Sequence, residues 1–501
     1  MVSVFDHGPP PTCPNPFNMA EYVLQAGKKT PDKIALEVLG SDRKMSHGAL
    51  RNAVRSMAGQ LLSIGLSPGD SVLFRLDSCV EFPIAYLACI YVGLVPVPLS
   101  SQLTSREVTV VTDMVGGRLI LHSPGVSLPE KIDCPVLSVS DLNMENIPSD
   151  LEPRRSTPHA HAYTIFTSGT SCTPRGVRHA HRAVWARQIM FEGWYGLQSS
   201  DRLLHAGAFN WTYTLGTGLV DPWTIGATAL IPAAGTPAKD LPTLLGTHDV
   251  TIFAAAPGVY RQMLADNPTI RADQLRHGLS AGEKMPARTR AAWVRATGTD
   301  VHEALGMSEC STFISGAPGV ALVDGASGRP QTGRRVAVLE GGKPVGYNTA
   351  GELAVHKDDP GLMIGYLNQP EGAHLTGDWF MTGDLVSMSA TGDVTYLGRA
   401  DDMMNAGGVR VSPLEVEAAF ADHPSVGDVA ATAVTVKADV TVIALFHTGP
   451  ANDLADRAET HLATYKRPRL YIRKDVLPKG PNGKLNRRAL ARDYEAEHGQ
   501  T

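Results

Sequence analysis

With 501 residues, 43% of them hydrophobic, the chain is long enough for roughly two to four domains with buried cores. A net charge of −5 supplies no broad basic field, which argues against a dedicated nucleic-acid or anionic-membrane binder and requires any anion site to be local. Six scattered cysteines (Cys13, Cys79, Cys89, Cys134, Cys172, Cys310) form no CxxC pair, which excludes zinc ribbons and redox motifs and fits a reducing compartment.

The N-terminal stretch Met1 to His7 has no basic segment followed by an apolar core, so no secretory signal is expected and the cytoplasm is the expected compartment. Between residues 20 and 240, β-like runs (Lys33 to Leu39, Asp70 to Leu76, Leu94 to Leu99, Gly117 to His122, Ala227 to Pro232) alternate with helix-like stretches, which predicts parallel α/β layers. The apolar run Phe82 to Leu99 is broken by Pro83, Gly93, Pro96 and Pro98 and reads as a buried helix leading into an extended segment, not a membrane span. Ser123 to Pro158 reads as an irregular connection, or as a loop with one edge strand.

Short buried strands are expected at Thr251 to Ala256 and Thr299 to Ala304, separated by a helix over Pro286 to Thr297 with Pro286 in its first turn. Residues 333 to 397 switch to short alternating segments (Val336 to Leu339, Gly351 to His356, Asp393 to Leu397), which predict antiparallel strands or a small barrel. A boundary falls at Gly398 to Asp402. The last hundred or so residues carry their own βαβ-like pattern, with helices expected at Pro413 to Ala421 and Ala451 to Thr464 and strands at Val426 to Val436 and Val440 to His447. The fold class is α/β: a large N-terminal domain of α/β layers with a small antiparallel barrel-like subdomain, residues 1–400, and a smaller α+β C-terminal domain, residues 401–501.

The run Thr167-Ser168-Gly169-Thr170-Ser171-Cys172-Thr173-Pro174-Arg175-Gly176 follows the strand-like Tyr163 to Phe166. Glycines admit close backbone approach, hydroxyls and amides converge on anionic oxygens, and Arg175 adds a fixed charge, so the loop suits phosphate. It has no Gly-Lys-Ser/Thr ending and is not a Walker A loop. Alone, its composition is also that of an ordinary surface loop.

Further signatures follow in order: Gly306-Met307-Ser308-Glu309, Gly351-Glu352-Leu353, Thr382-Gly383-Asp384-Leu385, Gly398-Arg399-Ala400-Asp401-Asp402 and Pro478-Lys479-Gly480-Pro481-Asn482-Gly483-Lys484. Together they resemble the adenylate-forming superfamily of acyl-CoA synthetases, nonribosomal-peptide adenylation domains and luciferases, over nearly the whole chain. The resemblance implies ATP binding by Thr167, Ser168, Gly169, Thr170, Ser171, Gly176 and Ser308, with Arg175 on phosphate and Glu309 as the Mg²⁺ ligand. It implies ribose binding by Asp384 and Arg399, and adenine binding along Ser280 to Lys284 (Gly282, Glu283) and Glu303 to Gly306 (Ala304, Leu305). It makes Lys484 the adenylation lysine and Asp401 the hinge about which the C-terminal domain moves. Gly407, Gly408 and Arg410 become the face for coenzyme A. The reaction implied is attack of a carboxylate on the α-phosphorus of MgATP, releasing pyrophosphate, followed by transfer of the acyl group to the CoA thiol with release of AMP.

The loop departs from the family pattern at Cys172, usually glycine, and at Arg175, usually lysine; Ser308 stands for a commoner threonine, and Leu305 for a frequent aromatic residue. Cys172 and Cys310 need no catalytic role but are expected near the nucleotide, where they would confer thiol sensitivity. The H-x-H pairs His159/His161 and His179/His181 lack accompanying carboxylates or cysteines and read as structural, with His179 close enough to the loop to shape the site. Walls for the acid are expected from Phe209, Trp211, Tyr213 and Gly306, which could equally pack a subdomain interface. The local pattern resembles benzoate-type and short- to medium-chain acyl-CoA ligases, so an aromatic, alicyclic or short- to medium-chain acid is expected. A free-standing adenylase that loads a carrier protein, and a nucleotide-binding protein without turnover, are the alternative readings. No nucleic-acid or membrane partner is expected, and a homo-oligomer is compatible with the sequence.

Overall fold

The computed structural model describes residues 2–144, 151–167, 174–370, 372–400, 402–406, 409–437, 440–480 and 485–498. Its centre is a nine-stranded sheet in which Ile34–Leu39, Thr228–Pro232, Arg202–His205, Ile252–Ala255, His277–Ala281 and Val301–Met307 run parallel in that spatial order, with antiparallel strands at both edges. A second, four-stranded parallel sheet is ordered Val95–Pro98, Ser71–Arg75, Leu119–His122, Val136–Ser138. The expected α/β alternation is therefore split between two sheets.

The Phe82 to Leu99 run forms the helix Glu81–Tyr91, every residue of which from Phe82 onward is buried, then a turn at Gly93 (φ 83°) and the strand Val95–Pro98. That strand lies at a sheet edge, where Pro96 and Pro98 need no amide for a second neighbour. Of the two readings for 123–158 the edge strand holds: Val136–Ser138 closes the other side of this sheet. Pro286 caps the helix Ala287–Thr297 from outside instead of occupying its first turn.

Residues 335–399 form an antiparallel sheet, Arg335–Glu340, Gly351–His356, Trp379–Met388, Val394–Arg399, with Val4–Asp6 added at the far edge. Val336, Val338, Leu353, Val355, Phe380, Val386 and Val394 turn one face of it into a core. Beyond residue 402, Val429–Lys437 and Val440–His447 pair antiparallel, and Leu470–Arg473 adds parallel to the latter. Helices Pro413–Ala418 and Leu454–His461 cover a separate core around Val416, Phe420, Ile443 and Leu445. Among the described residues no helix is long and apolar enough to cross a membrane.

Candidate active site

Strands His161–Thr167 and Arg175–Ala180 pair antiparallel, with Thr167 opposite Arg175, so the two described ends of the hydroxyl-rich run lie side by side. Gly176 is required there: a Cβ would stand 2.9 Å from Cβ of Leu367 and 3.1 Å from Cζ of Phe166. The Arg175 guanidinium carbon lies 5.7 Å from the Tyr366 ring centroid. Tyr366 in turn donates its hydroxyl to Oε1 of Glu309 at 2.9 Å. Burial first, and then the neighbouring Glu309 carboxylate, raise the Tyr366 pKa, so the phenol stays a donor.

Glu309 sits in the turn between Val301–Met307 and Ser311–Ser315, with Ser311 in the left-handed region at φ 63°. Gly306 allows the two strands to close: its Cβ would lie 2.5 Å from the Ser311 carbonyl oxygen. His179 Nε2 donates to the Ser308 carbonyl at 2.7 Å, and its ring stacks on Tyr163 at 4.8 Å. Burial pushes the His179 pKa down to about 4, which keeps the imidazole neutral. Oε2 of Glu309 has no hydrogen-bond partner among the described residues, whose His, Cys, Asp and Glu side chains form no group of three suited to a metal. That donor set fits a hard cation held by one carboxylate and completed by phosphate oxygens and water, the habit of Mg²⁺.

Asp384 and Arg399 face each other across the strands Trp379–Met388 and Val394–Arg399. Asp384 is buried; its Oδ1 accepts from Arg399 Nη1 at 3.2 Å and from the Tyr396 hydroxyl at 3.4 Å. Burial raises its pKa against the opposing pull of Arg399. Gly383, at φ 75°, makes room for the guanidinium, since a Cβ would stand 2.5 Å from Arg399 Nη2. Glu352 accepts the Gly383 amide at 2.9 Å, which gives the Gly-Glu-Leu signature a structural task.

Gly282 (φ 96°), Glu283, Ala304, Leu305 and Gly306 line the same cleft. Glu303 does not present its side chain to a ligand: it is buried, accepts the Met285 amide at 2.6 Å and pairs with Arg290, fixing the 282–286 turn. Trp211 borders the cleft, whereas Phe209 packs edge-on against Phe82 in the core and Tyr213 is buried with its hydroxyl donating to the Leu279 carbonyl. Cys310 is fully buried with its pKa raised by desolvation, so the thiol sensitivity expected of it is corrected: no reagent reaches that sulfur. The histidines of both H-x-H pairs are engaged structurally. His181 accepts the Met19 amide, His159 accepts from Arg182, and His161 bonds Tyr163 and Thr164.

Ser168, Gly169, Thr170, Ser171, Cys172, Asp401, Gly407, Gly408 and Lys484 lie outside the described residues. Of Arg410 only the backbone is described, in the Val409–Val411 strand paired with Met404–Ala406. Lys479 and Leu485, which flank residues 481–484, form a bridge and both border the cleft. The cleft encloses 2920 Å³. A single drug-sized pocket takes about 300–1,000 Å³, so a nucleotide and further substrates fit together. Tyr366, which no sequence signature marks, joins Arg175 to Glu309; its place after Gly365 on a two-residue strand beside Arg175–Ala180 reveals it.

The hairpin ends Thr167 and Arg175, the antiparallel strands carrying the buried Asp384–Arg399 pair, and Glu303 to Met307 of the central sheet border one cleft, and together they define a nucleotide-using enzyme. The family model for AMP-binding enzymes matches residues 23–367, and that for the AMP-binding enzyme C-terminal domain matches 415–484; the chain belongs to the AMP-binding enzyme family. It is similar to the 4-hydroxybenzoate–CoA/benzoate–CoA ligase of Rhodopseudomonas palustris (29% identity over 490 residues, 89% of each chain). The benzoate–CoA ligase of Thauera aromatica is 29% identical over 503 residues, covering 93% of this chain and 91% of that one. Among solved structures, an anthranilate CoA ligase in complex with anthranoyl-AMP superposes with a TM-score of 0.87 at 26% identity, covering 97% of this chain and 99% of that one.

Proposed function

We propose that this protein is an AMP-forming acid–CoA ligase that activates an aromatic acid of the benzoate class, or a short- to medium-chain acid, with MgATP and passes the acyl group to coenzyme A. The supporting observation is that one cleft gathers Arg175, Tyr366 and Glu309, which contact one another in that order, and the Asp384–Arg399 pair. Asp384 accepts from the ribose hydroxyls, and Arg399 both orients it and offers a second ribose contact. Thr167, Gly176 and Ser308 border the phosphates with Ser168 to Ser171, and Arg175 balances their charge. Glu309, steadied by Tyr366, holds Mg²⁺, which when bound neutralises phosphate charge. Gly282, Glu283, Ala304, Leu305 and Gly306 border the base.

In the first half-reaction the acid carboxylate attacks the α-phosphorus and pyrophosphate leaves, with Lys484 stabilising the charge that develops between them. In the second, the CoA thiolate attacks the adenylate carbonyl and AMP leaves. We assign residues 1–400 to the adenylate-forming domain and 401–501 to a mobile domain turning at Asp401, whose Gly407, Gly408 and Arg410 face the pantetheine arm in the second step. Trp211 and Gly306 border the acid, with Phe209 and Tyr213 supporting them. The five described cysteines are unpaired, which supports a cytoplasmic setting.

The test is pyrophosphate release across a panel of benzoates and alkanoates with MgATP, with and without CoA, followed by mass detection of acyl-CoA. Acid-dependent acyl-CoA is the expected result. Pyrophosphate release without acyl-CoA would transfer the reading to a carrier-protein acceptor, and ATP binding without any acid-dependent release would refute the enzyme reading.

A further inference from the structure

Asp428 stands immediately before the strand Val429–Lys437, and its backbone is held on both sides: its amide donates to Oγ1 of Thr448 at 2.8 Å and its carbonyl accepts the Thr448 amide at 2.9 Å. Its two carboxylate oxygens go to different parts of the molecule. Oδ1 accepts from Arg261 Nη1 at 2.6 Å, and Oδ2 accepts from Lys479 Nζ at 3.2 Å.

Arg261 belongs to the large domain. It rides on the helix Pro257–Ala265, whose Tyr260 is buried and donates to the carbonyls of Phe253 and Leu279 in the central sheet, so the guanidinium projects from a rigid base. Lys479 belongs to the segment leading to Lys484. It bridges Leu485, and the neighbouring Pro478 carbonyl accepts the Asn486 amide at 2.9 Å, so Pro478–Lys479 and Leu485–Asn486 are pinned together. Arg261, Asp428, Lys479 and Leu485 all border the cleft.

We infer that Asp428 is a positioning residue for the first half-reaction, tying the root of the Lys484 segment to the large domain through Arg261. One carboxylate sets two relations at once: the seat of the C-terminal sheet on the helix Pro257–Ala265, and the place from which residues 480–485 depart. Both pairs are partly exposed. Each is therefore worth a factor of about 1.5 to 5, and losing both lowers the population of the tied arrangement by about tenfold. The inference rests on the ligase reading for its kinetic consequence, since only a two-step reaction separates a step that uses Lys484 from one that does not.

The experiment uses the full-length protein and the variants Asp428→Asn, Asp428→Glu, Arg261→Met and Lys479→Met. Three quantities are read: amide deuterium uptake over 257–265 and 476–486, benzoate-dependent ATP–pyrophosphate exchange, and benzoyl-CoA formation from supplied benzoyl-adenylate and CoA. Asp428→Asn is expected to raise uptake in both segments and to lower exchange about tenfold, with benzoyl-CoA formation within twofold of wild type. Arg261→Met is expected to raise uptake over 476–486, to which, among the described residues, its hydrogen bonding runs through Asp428, and Asp428→Glu to retain most of the exchange rate. The inference is overturned if Asp428→Asn leaves uptake or exchange within twofold of wild type, or if both half-reactions fall alike. A wild-type protein inactive with every acid tested would overturn the ligase reading instead, and the uptake of Arg261→Met over 476–486 would still decide the tie.

Discussion

Replacing Gly383 by alanine tests the proposed ribose site at its tightest point. The residue sits at φ 75°, and the added methyl would meet Nη2 of Arg399 at 2.5 Å and its Cζ at 3.0 Å. A left-handed alanine costs about 1–2 kcal/mol. The guanidinium must also swing away, giving up its bonds to the Thr382 carbonyl (2.8 Å) and to Asp384 (3.2 Å). Hydrogen bonds to charged groups are worth about 1.5–3 kcal/mol, but the Arg399 side chain is 36% exposed and water recovers part of that. The stability loss expected is thus about 2–4 kcal/mol. The nucleotide loses one ribose contact and finds its partner Asp384 unsupported, which should weaken AMP by about 10- to 100-fold. Gly377→Ala is the control: it shares the left-handed backbone (φ 61°) but its Cβ meets nothing within 4 Å. Titration calorimetry with AMP should separate the two, with only Gly383→Ala losing affinity. Equal affinity in both variants, or a change below twofold at position 383, would refute the assignment of Arg399 to the nucleotide.

Lys484→Ala should cut acid-dependent pyrophosphate release by at least about 100-fold, while acyl-CoA formation from a supplied acyl-adenylate persists; loss of both steps in folded protein would contradict the assigned role. Tyr366→Phe removes the donor that steadies Glu309 and should raise the Mg²⁺ concentration for half-maximal activity about three- to tenfold; an unchanged Mg²⁺ dependence would count against Glu309 as the metal ligand. Burial holds His161, His179, His181 and His302 near pKa 4 and His205 and His277 near 3, all below the unfolded value. Across that window the unfolded chain binds more protons, so stability should fall as pH drops from about 6.5 to 4. The raised carboxylates Asp221, Glu303, Asp384 and Glu417 act in the opposite sense at the acidic end, but they are outnumbered. A urea midpoint equal at pH 7 and pH 5 would refute this.

Where a residue's placement depended on its neighbours in the chain, the sequence was readable. The run from Trp379 to Leu385 and that from Gly398 to Asp402 identify Asp384 and Arg399 separately, and an antiparallel register then sets them opposite each other. Glu309 was legible for the same reason, since its turn is local. Tyr366 was not, because a Gly-Tyr pair between loops has no periodicity and gains its position from pairing with Val177 and Gly365's neighbour Arg178, far away in sequence. Glu303 illustrates the converse. It lies within a segment that borders the cleft, yet its side chain turns inward to the Met285 amide and Arg290, a choice made by tertiary packing that no spacing announces. The layers at 34–39, 71–75, 119–122 and 228–232 emerged from their apolar runs, while their division between two sheets depends on long-range pairing.

Phe209 and Tyr213 each belong to a buried apolar cluster, and Tyr213 also anchors a strand carbonyl in the central sheet. Under the proposed function these two residues stand behind the acid's wall, so the shape of that wall and the cohesion of the core are tied to the same side chains. A change there that enlarges the acid's space also opens a cavity in the core, so tolerance for larger acids is bounded by folding before it is bounded by fit. On the same proposal, Trp211, which borders the cleft and is less embedded, is the position where selectivity would drift at little cost to the scaffold.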